Sequence, residues 1–269
     1  MTTKILKHTT IILLLLAITT ASSKAQTAFK AGETLQYSLY YNWKFIWVKA
    51  GSATMTITRS SFNNTPTFLT RLLMRGSQKA DNYFVLRDTL MSHVATDNLR
   101  PLYYKKNDIE GSSHRKREAW YHYSDNRCRA IQRYTRKDGR VTNKDETHPA
   151  QIHDMLSILL NARNYNTSQW KPGKRINFLM TDGNGVKNHS LIYRGTEKIK
   201  IRNNGTKYRC LKLSFVEKRN NKEKEVITFY VSDDSNHIPV RLDMNLNFGS
   251  AKAFLTNHSG LKNPMKAQY

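Results

Sequence analysis

Much of the chain alternates between apolar and polar positions with a period of two. In the segment LQYSLYYNWKFIW, residues 35–47, the odd positions are all apolar or aromatic, whereas Gln36, Ser38 and Lys44 are polar. Successive side chains of a β-strand point to opposite faces, so this pattern predicts a strand with one buried face. Because such a strand would be unusually long, we expect a bend or bulge near residues 42–44.

The same alternation returns in many segments along the rest of the chain. Examples are ATMTITR, NYFVLRD, REAWYHYS, EVITFYVS and PVRLDMNLNF. Turn-forming residues separate these segments, for example Asp138-Gly139 and Asn203-Asn204-Gly205. A dozen or more short strands without βαβ alternation predict a mainly β fold. We expect an antiparallel up-and-down meander that curls into an open or closed barrel-like sheet.

One segment, QIHDMLSILLNARN at residues 151–164, departs from the strand pattern. Asp154 can cap a helix by accepting a hydrogen bond from a backbone N–H near Ser157. Apolar residues follow at helical spacing: Met155, Leu156, Leu159 and Leu160. A helix this short is marginal in water, so we expect one central helix buried against the concave face of the sheet. Alternatively, the helix forms one wall of a ligand cavity, with Asp154 or Arg163 at its mouth.

The N-terminal residues predict an exported protein. Basic residues precede an apolar run at residues 11–18, and small residues follow up to Ala25. This is the pattern of a secretory signal peptide, which we place at residues 1–25, and the apolar run is short for a bilayer span. No cysteine follows the expected cleavage point, so we expect no lipid anchor. Residues 26–269 are expected to form a single β-rich domain that is periplasmic or secreted. An uncut signal anchor is the alternative.

The composition is strongly basic, with 44 lysines and arginines against 20 acidic residues and a formal net charge of +24. Such an excess attracts anions. Basic residues stand at period two in three segments: Arg127, Arg129 and Arg133; Lys198, Lys200 and Arg202; Arg115 and Arg117. If those strands are neighbours, their charges merge into one positive outer face for lipopolysaccharide, acidic polysaccharide or lipid. A merely solvated face is the alternative. We expect no nucleic-acid partner, because the chain is predicted to be exported and shows no nucleic-acid module.

Catalytic and metal-binding motifs are absent from the sequence. It contains no Gly-x-Ser-x-Gly, no His-Glu-x-x-His, no phosphate-binding glycine loop and no paired-cysteine motif. We therefore expect no metal site and no cofactor, and the catalytic residues remain unknown. Asp233, Asp234 and His237 fit a turn better than an acid/base cluster. Cys128 and Cys210, the two cysteines, could form a disulfide or be two buried thiols, and the sequence leaves both open.

Three segments together carry a family resemblance. They contain Gly32-Glu33 before the first strand, Asp154 with Ser157 at the helix, and Asp234 followed by Ile238-Pro239-Val240. In this order they resemble the landmarks of the exported bacterial domain-of-unknown-function family 3108, over residues 29–255. The resemblance implies a periplasmic, mostly antiparallel β protein with a barrel-like sheet. It implies no reaction.

Two functional hypotheses follow from these observations. The preferred one is a non-enzymatic cell-envelope protein that binds or carries an acidic or amphipathic ligand, either a glycan or a lipid. The alternative is an uncharacterised periplasmic hydrolase or lyase that uses scattered His and Asp residues. Whether the protein is an enzyme stays open, with the balance against it, and an envelope protein partner is a further expectation.

Overall fold

One antiparallel sheet of 15 strands runs through the described chain. The computed structural model describes residues 27–43, 46–202, 205–219, 222–246 and 249–269, so the predicted signal peptide at 1–25 lies outside it. The strands are β1 (Thr34–Trp43), β2 (Ile46–Phe62), β3 (Thr65–Gly76), β4 (Leu86–Ala95), β5 (Pro101–Glu110), β6 (Ser113–Ser124), β7 (Arg127–Thr135), β8 (Val141–His148), β9 (Ile152–His153), β10 (Arg175–Thr181), β11 (Val186–Lys200), β12 (Lys207–Arg219), β13 (Lys222–Ser232), β14 (Pro239–Asn245) and β15 (Ser250–Ser259). The helices are α1 (Gln78–Asp81) and α2 (Met155–Ala162).

The strand order confirms the predicted meander. It runs β8-β7-β6-β5-β4-β3-β2-β1-β15-β14-β13-β12-β11-β10-β9. Every pair is antiparallel except β9 with β10. The sheet curls until its two ends approach each other, where Gln132 of β7 accepts hydrogen bonds from Thr181 Oγ1 and the backbone of Gly185. The result is a nearly closed, barrel-like sheet. No helix among the described residues has the length and apolar character needed to cross a membrane.

The prediction of one long strand at residues 35–47 is wrong. β1 ends at Trp43 and β2 begins at Ile46, and the two strands pair antiparallel with Asn42 opposite Trp47. Period-two alternation continued through the reversal, so the pattern alone did not mark it. A bulge does occur, but earlier, between Leu39 and Tyr40.

Gly51 on β2 explains how β2 and β3 approach each other beside that bulge. A Cβ atom at Gly51 would lie 2.1 Å from the carbonyl oxygen of Arg75. Only glycine allows this close contact between backbones. Asp138-Gly139 is a predicted turn, and Gly139 adopts a positive φ of 81° in the β7–β8 connection.

Helix α2 lies inside the curled sheet, as predicted, and fills its interior from the middle to one end. Leu156 packs among Leu90, Tyr104 and Tyr121, and Leu160 packs with a second cluster formed by Phe29, Ile57, Phe68, Val94 and Leu99. One residue of the predicted buried face is wrong: Met155 is 40% exposed. Ile158, which was not assigned to that face, is buried. The apolar helix therefore supplies side chains that the sheet cannot bring to its own centre.

The two ends of the barrel differ in what fills them. The plugged end holds the C-terminal half of α2, the start of β1 and the connection at residues 233–238. The charged end holds the connections at residues 77–85, 111–112, 136–140 and 182–185. Antiparallel order places alternate connections at opposite ends.

Cys128 and Cys210 are both buried and unbonded. Cys128 packs with Tyr121 and Ala130 on the β6–β7 side, whereas Cys210 belongs to a separate cluster around β1 and β12. Burial raises the pKa of both thiols, to about 12 for Cys210. Of the two interpretations that the sequence left open, the structure therefore has the separate buried thiols.

Candidate ligand-binding surface

Asp154 does not stand at the mouth of a cavity, so that prediction is wrong. The residue is fully buried, and its carboxylate accepts hydrogen bonds from the backbone N–H groups of Leu156 and Ser157 and from Ser92 Oγ. Ser157 Oγ in return accepts from the backbone N–H of Asp154, which completes a capping box. Burial raises the pKa of Asp154 to about 6, although the hydrogen bonds oppose the shift. Its role is to begin the helix and tie it to β4.

Arg163 is buried as well and is not at a cavity mouth. Its guanidinium forms a bidentate ion pair with Glu33, at 2.5 Å and 2.8 Å, and donates a third hydrogen bond to the carbonyl of Asn236. The guanidinium also lies 5.4 Å from the ring centre of Phe29. Every contact holds α2 against the plugged end, so Arg163 is a structural residue.

The acidic residues at the β13–β14 connection form a turn, as the sequence favoured. Asp234 accepts hydrogen bonds from Ser232 Oγ and from the backbone N–H groups of Asn236 and Ala267. His237 Nδ1 lies 2.8 Å from the carbonyl of Arg163. These groups are engaged in structural bonds and do not form an acid/base pair. Within the described ranges, no cluster of three or more His, Cys, Asp or Glu could hold a metal ion.

Arg127, Arg129 and Arg133 are exposed on the outer face of β7, whose other face carries buried residues. In the described part of the chain, only Arg129 of the three has a carboxylate partner, Asp145 of β8. Arg127 and Arg133 are therefore free to meet an external anion.

The other predicted basic residues do not join this face. Lys198, Lys200 and Arg202 are exposed near the β11–β12 connection, and β11 is not a neighbour of β7. Arg115 and Arg117 point inward, where both bind Asp108. The prediction of one merged positive face from three strands is therefore wrong, because period two fixes a side but not which side faces outward.

An aromatic strip crosses the outer face beside the β7 arginines. Its members are Phe62, His93, Tyr103 and Trp120. The rings of Phe62 and Tyr103 are stacked at 2° with centroids 5.3 Å apart, and Tyr103 and Trp120 are 5.4 Å apart. Strand register sets the order, since His93, Tyr103, Trp120 and Ile131 lie opposite one another across β4 to β7. Phe62, Tyr103 and Trp120 are half-buried, and His93 is buried.

A cationic row runs parallel to the aromatic strip. Register places Arg71, Met91, Lys105, Glu118 and Arg133 opposite one another on β3 to β7, one row away from the rings. Three of its five members are cations, and the acid Glu118 is paired with Lys116. The surface thus combines aromatic rings with a net positive charge.

Hydrogen bonds fix the orientation of the strip. Tyr103 OH donates to Glu118 Oε1 at 2.7 Å, and Thr67 Oγ1 lies 3.1 Å from His93 Nδ1. Burial, with a smaller contribution from the charge of Arg71, lowers the pKa of His93, so this ring favours its neutral form. A preorganised platform loses little conformational entropy when a ligand stacks on it.

Sequence reasoning missed this strip. Trp120 stands in the predicted strand REAWYHYS, but its neighbour Tyr121 is equally aromatic, and residues 101–110 were not among the predicted strands. The structure puts Tyr104 and Tyr121 inside, where they are buried. The sequence therefore does not show which of these aromatic side chains face outward.

The fold defines a class, the barrel-like β proteins, here with an interior helix. A family model described as a protein of unknown function, DUF3108, matches residues 36–256. The chain belongs to this family, which confirms the resemblance. No curated protein matches the chain.

A solved structure shows the same fold. It is the crystal structure of a beta-barrel-like protein of the domain of unknown function DUF1849 from Brucella abortus. The TM-score is 0.54 at 9% sequence identity, and the match covers 86% of this chain and 98% of that chain. At this identity the similarity shows the fold alone.

Proposed function

We propose that this protein is an exported, non-enzymatic binding protein for an acidic glycan of the cell envelope. The observation that carries the proposal is the pairing of the aromatic strip with exposed arginines on the outer face of β4 to β7. Sugar rings stack on aromatic faces, and carboxylate or phosphate groups of an acidic glycan pair with guanidinium groups. The proposed location depends on the predicted signal peptide.

The shape of the surface supports an extended ligand. The rings follow one another across three neighbouring strands, and strands lie about 4.8 Å apart. The cationic row keeps the same direction two residues further along each strand, on the same face. A polymer that repeats a sugar ring and an acidic group can thus engage both rows together.

The interior offers less support for ligand carriage, the other part of the sequence-based hypothesis. Helix α2 occupies the centre of the curled sheet with Leu156, Ile158 and Leu160 buried. The residues proposed for a cavity mouth, Asp154 and Arg163, are engaged with protein groups. We therefore place binding on the outside.

The test measures binding of the mature chain to polygalacturonate by isothermal titration calorimetry at several salt concentrations. Replacing all three of Arg127, Arg129 and Arg133 by Gln should weaken binding about tenfold and flatten its salt dependence. Trp120→Ala should weaken binding without changing the salt dependence, because it removes stacking and no charge.

A matched control removes the same number of charges elsewhere. Replacing Lys198, Lys200 and Arg202 by Gln should change the affinity less than twofold by our estimate, since these residues lie off the proposed surface. Equal losses in the two triple variants would show that only the net charge of the protein matters, and the proposed surface would be rejected.

A further inference from the structure

Exposed apolar side chains are concentrated at the charged end of the barrel. Nine large hydrophobic residues in the described ranges are exposed, and six of them lie at or beside connections of this end. We call these six the apolar rim: Val48, Tyr83, Phe84, Ile109, Val141 and Leu246. Tyr83 is 88% exposed and Phe84 is 54% exposed. Several exposed apolar side chains in one region of a protein surface often indicate an interaction site.

Backbone contacts show that the central members of the rim come from adjacent connections. The N–H of Ser77 donates to the carbonyl of Ala50 at 2.8 Å, which joins the α1 connection to the start of β2. The ring of Phe84 lies against Gly111 of the β5–β6 connection. On the other side, β1 pairs with β15 up to Asn42 and Ser250, which places the β14–β15 connection beside the end of β1, whose other neighbour is β2.

Cations lie among the rim residues. Exposed basic residues at this end include Lys49, Lys79, Lys137, Arg140 and Lys222. Asp81 and Asp138, two acidic residues in the same connections, are each paired with an arginine, Arg87 and Arg140. Exposed Asp182 and Glu223 also lie at this end, where they face Arg117 and Arg175. The four lysines have no carboxylate partner among the described residues, so the outward charge of the rim is positive.

We propose that the apolar rim docks the barrel on the surface of a bilayer that contains anionic phospholipid. Tyr83, Phe84, Val48 and Leu246 would enter the headgroup region, and the surrounding lysines would meet lipid phosphates. Aromatic side chains favour this interface, and basic residues near an anionic surface add to the attraction. The proposal is independent of the glycan surface, which lies on the outer wall of β4 to β7.

A bilayer fits this end better than a folded protein partner does. The apolar residues come from five places along the chain, some in connections and some at strand ends, and exposed lysines lie among them. They therefore do not come from one continuous apolar element. Protein interfaces have a contiguous buried core, from which lysine is depleted. A fluid surface with negative headgroups accepts separate insertions and needs no complementary shape.

The experiment measures co-sedimentation of the mature chain with vesicles of phosphatidylcholine and phosphatidylglycerol, and with vesicles of phosphatidylcholine alone. We expect binding to the anionic vesicles, and the double variant Tyr83→Ser/Phe84→Ser should bind about tenfold more weakly or worse. Tyr269→Ser is the matched control, because Tyr269 is 59% exposed but lies away from the rim. It should bind like the wild type.

A second variant tests the proposal by gain of binding. Tyr83→Trp should bind the anionic vesicles more tightly, and its added tryptophan emission should shift to the blue on binding. The variant with Arg127, Arg129 and Arg133 replaced by Gln should keep most of its vesicle binding. The proposal is overturned if the Tyr83→Ser/Phe84→Ser variant binds as the wild type does, or if the β7 arginines alone determine vesicle binding.

Discussion

At the plugged end of the barrel, the side chains of Arg163 and Glu33 are 1% and 0% exposed and bind each other through two hydrogen bonds. At the charged end, six ionisable groups share the interior: Asp88, Lys106, Asp108, Glu110, Arg115 and Arg117. Lys106 Nζ lies 3.6 Å from Asp88 and 3.9 Å from Asp108. The first arrangement is one closed pair, whereas the second is an open network.

The two regions also differ in how well their polar atoms are satisfied. At the plugged end, Arg163 additionally binds the carbonyl of Asn236, and Asn236 in turn binds residues 263 and 264 of the C-terminal segment. At the charged end, Asp88 Oδ1 and Arg117 Nε have no hydrogen-bond partner among the described residues. Burial, opposed by Lys106, raises the pKa of Asp88 to about 6.

The comparison shows that buried charges can have different structural roles in one protein. A fully paired guanidinium and carboxylate, far apart in sequence, fix the end of α2 against the residue that precedes β1. A network with three acidic and three basic groups, some half-exposed, tolerates the loss of a member. The stability of the fold should therefore depend much more on the plugged end.

The largest expected effect comes from breaking the closed pair. Glu33→Gln leaves Arg163 buried without its counter-charge, so it should lower the free energy of unfolding by about 3–5 kcal/mol in urea titrations. The double variant Glu33→Gln/Arg163→Met should lose less than the sum of the two single changes. A loss below about 1 kcal/mol for Glu33→Gln would contradict our view of the plugged end.

A smaller effect is expected from the apolar part of the same end. Leu160→Ala opens a cavity among Phe29, Ile57 and Phe68 and should cost about 2–4 kcal/mol. Ile109→Ala at the charged end removes a side chain that is 36% exposed and should cost below about 1 kcal/mol. Thermal unfolding of both variants tests the contrast, which fails if the two costs are equal.

The charged end should make the stability of the protein depend on pH. The pKa of Asp88 is about 6 in the folded chain and 3.8 when unperturbed. Between these values the folded state binds more protons than the unfolded state, so this group contributes less stability as pH rises through the window. The wild type should therefore lose about 2 kcal/mol of unfolding free energy between pH 4 and pH 7 that the Asp88→Asn variant does not lose. Urea titrations at both pH values measure this, and a constant difference would refute it.

The smallest effect is expected outside the barrel. Arg129 and Asp145 form an ion pair in which both side chains are about half-exposed. Arg129→Gln should leave the midpoint of urea unfolding unchanged, because water screens the pair. A lower midpoint in urea titrations would mean that exposed ion pairs also stabilise this sheet, which would contradict the view that stability depends mainly on the plugged end.

Local order could be predicted from sequence wherever it depends on neighbouring residues. Alternation predicted the strands, and Asp154 with Ser157 predicted the start of α2, because a cap needs only groups within three residues. The same local rule failed at residues 35–47, where alternation continued from β1 into β2. The β4 to β7 aromatic strip could not be predicted, since its rings come from strands whose outward faces were unknown.

The sequence by itself determined a basic, mainly β chain with one apolar helix, since strand periodicity and helix capping depend on residues close together in the chain. Tertiary structure alone decided that Arg117 faces inward to Asp108 while Arg129 faces outward, although both stand in strands of period two. It also joined Glu33 to Arg163 across 130 residues. The physical reason is that a face or a distant partner is chosen by what the whole sheet encloses, and no local pattern contains that information.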